Sequence, residues 1–331
     1  MIDVLELTRR LVAVESETGA EAPATDLLAS ELAALGYQVR RQPVEPGRDN
    51  LYAFREPPVV VFSTHLDTVP PYVPLREDDR WIHGRGSCDA KGLAAAMVAA
   101  AEQLAAEGER RIGLLFMVGE ENGSDGARAA AALEPKGRFV INGEPTENQL
   151  SIGQKGALRV DITSAGRAAH SAYPEEGVSA ILPLLETLRR IRRLPLPFDP
   201  LLGSSTLNIG IIGGGVAPNV IPAEAHATVL VRTVAPTGPL RDAISGCAEP
   251  GVTIGFGPEL PPYKGSAVPG WETTVVSFAS DVPFLTDWGT VFQLGPGSIR
   301  VAHTDEERID KAELIEGVDR YARLARALLS S

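Results

Sequence analysis

The amino-acid sequence predicts an α/β protein: a mostly parallel sheet with helices on both faces, into which a two-layer sandwich of βαββαβ order is inserted. Three observations lead there. Apolar runs of strand length, VVVFST, IGLLFMV, RFVIN and TVFQL, punctuate the chain, and most are separated by helical stretches, the pattern of parallel strands covered on both sides. From Gly156 the strands alternate instead, as half-exposed strands do, and are interleaved with two amphipathic helices. Near residue 265 the buried-strand pattern returns, so the expected division is 1–156 with 265–331 around an insertion of 157–264.

In chain order, helical spacing covers residues 3–16 and 21–35, with Gly36 as the stop of the second. Strand patterns follow at YQVRRQPV and NLYAF, then the buried run VVVFST. The alanine-rich KGLAAAMVAAAEQLAAEG reads as a helix packed on the sheet; IGLLFMV, a helix over 124–133 and RFVIN complete the first half. In the insertion, ALRVDITSAG, STLNIGIIGGG, AEAHATVLVRTV and GVTIGFG read as strands, GVSAILPLLETLRRIRRL and TGPLRDAISGC as helices. After TVFQL a helix over 310–329 closes the chain.

At 331 residues the chain is sized for about two domains. Its net charge of −12 argues against nucleic acid or an anionic membrane surface as main partner, because like charges repel. Cys88 and Cys247 are too few for a disulfide framework. The first segment, MIDVLELTRRLVAVESE, has acids in its first turn and lacks the basic start and apolar core of a secretory signal. No uninterrupted apolar stretch reaches the ~18–20 residues of a membrane span. The cytoplasm is the expected compartment.

Five segments each carry a metal-binding side chain: HLD with His65, GRGSCDAKG with Asp89, GEEN with Glu120 and Glu121, NGEP with Glu144, and AHTDEE with His303. Four of them follow the buried runs, and in an open α/β sheet the functional groups gather at the carboxyl ends of the strands. Imidazole and carboxylate donors suit zinc. Two metals ~3.5–4 Å apart need a bridging carboxylate, and Asp89, in a glycine-punctuated turn before a helix, is the natural bridge. On an extended chain the adjacent acids Glu120 and Glu121 point to opposite sides, so one can bind metal while the other moves a proton. Asp67, two residues past His65, is placed to accept the second ring N–H and fix the tautomer. His83 and His226 fit no such pattern and read as structural, and Cys88 as packing.

Read in order, HLDTVP, GRGSCDAKG, GEEN, NGEP, GQKG, HSAYP, GPG and AHTDEE resemble, over nearly the whole chain, the zinc aminoacylase and carboxypeptidase family. That family includes acetylornithine deacetylase, succinyl-diaminopimelate desuccinylase and glutamate carboxypeptidase. The resemblance implies a zinc-exopeptidase-like fold and two Zn2+ ions, with Co2+ or Mn2+ also suited to the donors. It assigns His65 and Glu144 to one metal, Glu121 and His303 to the other, Asp89 between them and Glu120 as general base. It implies that His170, in AAHSAYPEEG, stabilises the oxyanion, often from the partner subunit of a homodimer formed through the inserted domain. It places Asn219, in GGGVAPNVIP, near the substrate carboxylate, with Arg232 and the Gly295–Gly297 backbone as further candidates. The expected reaction is hydrolysis of an N-acyl amino acid, most like acetylornithine deacetylation. Desuccinylation, or removal of a carboxyl-terminal residue from a dipeptide, is the alternative within that chemistry, and a metal-binding protein without turnover the alternative outside it.

Overall fold

The computed structural model describes residues 2–331. The chain divides into two compact units, one made of the residues up to Ile152 with Lys264–Thr274 and Ser280–Ser331, the other of Gly153–Tyr263 with Val275–Ala279.

The first unit is built on a mixed, mostly parallel sheet. Its centre is a parallel array in the order Ile112–Met117, Val60–His65, Phe139–Asn142, Thr290–Gln293. Gln38–Glu45 and Arg48–Phe54 extend one side as an antiparallel hairpin, and Leu150–Gln154 joins the other side antiparallel, through Ser151 opposite Gln293. The strands Val60–His65, Ile112–Met117 and Phe139–Asn142 are buried at every residue, which explains their unbroken apolar runs. On one face Phe62, Leu114, Ile141 and Phe292 share a core with the helices Val4–Val12, Ala22–Ala34, Lys91–Ala106 and Lys311–Leu329. On the other, Tyr52 meets Trp288 edge-on at 5.3 Å, and the Trp288 indole N–H donates to the Ala130 carbonyl at the end of the short helix Asp125–Ala130.

Helix ends follow local chemistry. Asp310 caps the last helix by accepting the N–H groups of Ala312 and Glu313, so the helix starts at Lys311. The first helix is shorter than its periodicity suggested, ending at Val12. The chain beyond it is drawn to the segment that follows His65: the Ser16 hydroxyl donates to the Leu66 carbonyl at 2.7 Å, and Glu17 bridges to Thr68.

The second unit is a four-stranded antiparallel sheet in the order Thr206–Gly214, Glu224–Thr233, Gly156–Ala165, Val252–Leu260. Its apolar face, Leu158, Val160, Ile162, Val229 and Val231, packs with the helices Ile181–Ile191 and Gly238–Ser245. Among the described residues no helix is long and apolar enough to cross a membrane.

Candidate metal centre

In the first unit the candidate metal-binding side chains stand where the parallel strands end. His65 is the last residue of its strand, Glu144 lies just past Phe139–Asn142, and Glu120 opens a 3-10 turn, Glu120–Asn122, just past Ile112–Met117. Asp89 stands two residues before helix Lys91–Ala106, where Gly92 lets the turn close: a Cβ there would sit 2.2 Å from the Ser87 carbonyl oxygen. His303 follows Thr290–Gln293 on a loop and adopts φ +62°, a left-handed conformation that costs a non-glycine residue ~1–3 kcal/mol and persists where the surroundings demand it.

Asp89 is at the centre of the cluster. Its Oδ1 lies 3.1 Å from Nε2 of His65, its Oδ2 lies 3.4 Å from Nε2 of His303, and that same His303 nitrogen lies 2.9 Å from Oε1 of Glu121. His65, Asp89 and Glu121 each offer one ligand atom within 4.8 Å of the others. Glu144 is 3 % exposed, and among the described residues its Oε1 has no hydrogen-bond partner.

The proton inventory shows what the cluster lacks. His65 Nδ1 is 2.9 Å from the Asp67 carbonyl, which can only accept, so Nδ1 carries the ring proton. Nε2 of the neutral ring then turns a lone pair toward an acceptor, the Asp89 carboxylate, and a cation is needed there. In the protein alone a proton meets the need: burial opposes it, but Asp67 and Asp89 outweigh burial and raise His65 well above the ordinary imidazole value. Asp89 and Glu121 raise His303 to about 10. Burial resists ionisation of Asp89, yet the two imidazoles outweigh it and hold its carboxyl well below the usual range. Burial, with Asp89 beside it, pushes Glu144 well up, and burial together with Glu144 does the same to Glu120. Imidazole and carboxylate donors around one bridging acid, with a buried oxygen left unpartnered, fit a divalent-metal centre.

A family model described as peptidase family M20/M25/M40 matches residues 61–327. A peptidase M20 domain-containing protein of Schizosaccharomyces pombe is 39% identical over 337 residues, covering 97% of this chain and 84% of that protein. A probable carboxypeptidase of Aspergillus clavatus is 39% identical over 373 residues, covering 98% and 82%. The chain belongs to the M20 peptidase family. Its fold is that of a Staphylococcus aureus tripeptidase, with a TM-score of 0.82 at 22% identity over 99% of this chain and 98% of that one. This M20 chain is therefore a metallopeptidase-type hydrolase.

Two expectations about the M20 site need correction. The second ring nitrogen of His65 meets the Asp67 backbone carbonyl at 2.9 Å, while the nearest carboxylate oxygen stands at 3.4 Å. The Asp67 carboxylate also accepts the N–H groups of Glu120 and Glu121, each at 3.1 Å, and the Thr18 hydroxyl at 2.8 Å. Those N–H groups are available because Glu120 and Glu121 are not extended: Gly119 and Gly123, at φ +75° and +105°, bracket a tight turn whose first amides have no partner within it. The two side chains diverge as the turn winds, and not by strand alternation.

Sequence reasoning missed two buried acids of the same unit. Asp281 is 1 % exposed, neither of its carboxylate oxygens makes a hydrogen bond among the described residues, and burial pushes it up to about 7. Its segment, ASDVPF, carries no sequence signal. Glu307 was in view as the last residue of AHTDEE, and its partners are backbone amides that no sequence pattern displays. Gly295, a candidate for holding substrate, spends both backbone groups inside the unit: its N–H donates to Thr146 Oγ1 at 3.0 Å and its carbonyl accepts from Asn148 at 2.8 Å.

The remaining candidates belong to the second unit. His170 and Asn219 are brought together there, since His170 forms a bridge with Val220 and the Ser171 N–H donates to the Asn219 carbonyl at 3.0 Å. The His170 ring is exposed, and its Nδ1 accepts the Ala172 N–H at 3.1 Å, which leaves the proton of the neutral ring on Nε2. Arg232 is half-buried on Glu224–Thr233, between Thr206 and Ala157 of the flanking strands.

Proposed function

We propose that this chain is a metal-dependent exopeptidase of carboxypeptidase type, hydrolysing the last peptide bond of a dipeptide or short peptide. The observation that carries the reading is that the two carboxylate oxygens of Asp89 face two different imidazoles, those of His65 and His303. That is the disposition of a carboxylate shared by two cations. His65 and Glu144 would hold one, Glu121 and His303 the other, with Asp89 common to both. Zinc suits the donors, and cobalt or manganese would be accepted as well. Two such ions supply a polarised carbonyl and a water acidic enough to attack near neutral pH.

The chain's own groups do the rest. Glu120 is not needed as a ligand, and its burial beside Glu144 gives it an appetite for protons. It takes the proton of the attacking water and returns it to the leaving amine. Asp67 holds the turn that presents it. For His170 we propose the role of hydrogen-bond donor to the oxygen that gains charge, supported by the tautomer that places the proton on an exposed Nε2. Asn219 and Arg232 are proposed to meet the substrate's terminal carboxylate.

The choice of a peptide over an N-acetyl amino acid is supported by the relatives, whose names are those of peptidases. A homodimer is proposed through the second unit. Its helix Ile181–Ile191 leaves Leu182 and Leu185 exposed, and its edge strand Thr206–Gly214 does the same with Ile211 and Ile212.

The test is amino-acid release, followed by mass spectrometry, from N-blocked dipeptides, free dipeptides, tripeptides and Nα-acetylornithine with zinc- or cobalt-loaded protein. Release of the carboxyl-terminal residue is expected. Turnover confined to Nα-acetylornithine would replace the reading with a deacetylase, and silence with two metals bound would leave a binding protein.

A further inference from the structure

The loop that carries Asp89 is wrapped around a carboxylate. Glu307 is 1 % exposed, and its Oε1 accepts three backbone N–H groups, from Gly86 at 2.8 Å, Cys88 at 3.2 Å and Asp89 at 3.1 Å. Its Oε2 accepts from Arg85 Nη1 at 2.6 Å, and its own carbonyl accepts the Gly84 N–H at 3.0 Å. Arg85, equally buried, donates onward to the Thr304 carbonyl at 3.2 Å and the Pro71 carbonyl at 3.2 Å. Successive amides converging on one anion form a concavity of fixed shape. The occupant here is a side chain of the protein, and it enters from the segment that bears His303.

Glu307 thus joins the two pieces of chain that face each other at the centre. The N–H of Asp89 itself is held by Glu307, while Asp89 Oδ2 stands 3.4 Å from His303, a residue of the same short loop as Glu307. Neither loop is part of the main sheet; the short strand Arg308–Asp310, antiparallel to Trp81–His83, ties the two segments at their far ends, and the Glu307 carboxylate is what ties them beside Asp89 itself. We infer that Glu307 is a positioning residue that fixes the backbone of the Asp89 loop against the His303 loop and so preorganises the shared carboxylate for metal. The inference rests on the metal-site reading above.

A buried acid paired with Arg85 could also serve stability alone, and the two roles respond differently to reach and to charge. Glu307→Gln keeps an oxygen at the same reach but loses the charge. Glu307→Asp keeps the charge opposite Arg85 but draws the oxygen back by a methylene. The experiment titrates cobalt(II) into the metal-free full chain, reading affinity by chelator competition and geometry by the visible absorption bands, with unfolding followed in parallel. Positioning predicts that Gln stays within about threefold of wild type, while Asp, and Ala where it folds, lose about 10–100-fold in affinity and shift the bands. Asp binding cobalt as well as Gln or better, or an Ala variant that is less stable but binds with wild-type affinity and spectrum, overturns the inference. Asp89→Ala runs alongside: if it binds cobalt like wild type, the metal-site reading itself fails, whatever Glu307 does.

Discussion

Asp67 Oδ1 accepts the backbone N–H of Glu120 at 3.1 Å across 53 residues of sequence, so the proposed proton carrier is placed by a distant acid. Oδ2 does the same for Glu121 and also takes the Thr18 hydroxyl. Asp67→Ala leaves three donors around a buried void. Hydrogen bonds to a charged group contribute ~1.5–3 kcal/mol each, and relaxation returns part, so a loss of about 2–4 kcal/mol is expected in denaturant unfolding of the metal-free protein. Turnover should fall about 10–100-fold, the usual effect of removing a group that orients a metal site. Wild-type stability together with wild-type kcat would refute this.

Glu120→Gln keeps the shape of the side chain and the backbone bond to Asp67 but removes the acceptor for a proton. General acid–base catalysis contributes ~10²–10⁴-fold, and kcat should drop by about that factor while metal content, measured by mass spectrometry, stays at the wild-type value. Loss of metal would instead make Glu120 a ligand.

Metal uptake should expel protons. His303, raised to about 10 by Asp89 and Glu121, holds a proton at neutral pH in the metal-free protein and must shed it to bind metal. Zinc titrated calorimetrically at pH 7 in two buffers of different ionisation enthalpy should reveal at least about one proton released. His303→Ala should reduce that number. Uptake without release would place the cations away from the imidazoles.

The aliphatic side chains left in water on the second unit predict a dimer. Light scattering should give twice the chain mass for wild type. Ile212→Glu, in the edge strand, should bring the mass to that of one chain without lowering the unfolding temperature of the first unit. A monomeric wild-type protein ends the proposal.

The parallel sheet was legible because strands buried on both faces must be apolar throughout, as Val60–His65 and Ile112–Met117 are. His65, Asp89, Glu121, Glu144 and His303 were legible as residue types at strand ends and turns, and the fold gathers them. What holds them was not legible. Asp67 and Glu307 act on backbone amides, and which amides are free depends on turns such as the one Gly119 and Gly123 impose. A strand-like reading of GEEN therefore gave diverging side chains for the wrong reason. Asp281 has no signal at all, since one acid in a loop looks the same buried or exposed.

The stability of the metal-free protein should fall as pH rises above 5. A buried acid with a raised folded pKa keeps a proton that the unfolded chain gives up near pH 4, so its contribution is present below that value and is lost up to the folded pKa. For Asp281 the loss runs to about 7, and Glu120 and Glu144 act in the same direction. An imidazole raised by its partners contributes fully below its ordinary value of ~6.5 and loses that contribution as pH climbs through the folded value, about 10 for His303. Asp67 and Asp89, held low by their partners, contribute with the opposite slope, but theirs is complete before pH 5. Scanning calorimetry in chelator should therefore show the unfolding temperature declining from pH 5 through 7 to 9. With zinc in excess the decline should flatten, because the cations replace the protons that the cluster otherwise needs. A chelated protein that becomes more stable between pH 5 and 8 would show that these acids are not protonated in the folded state.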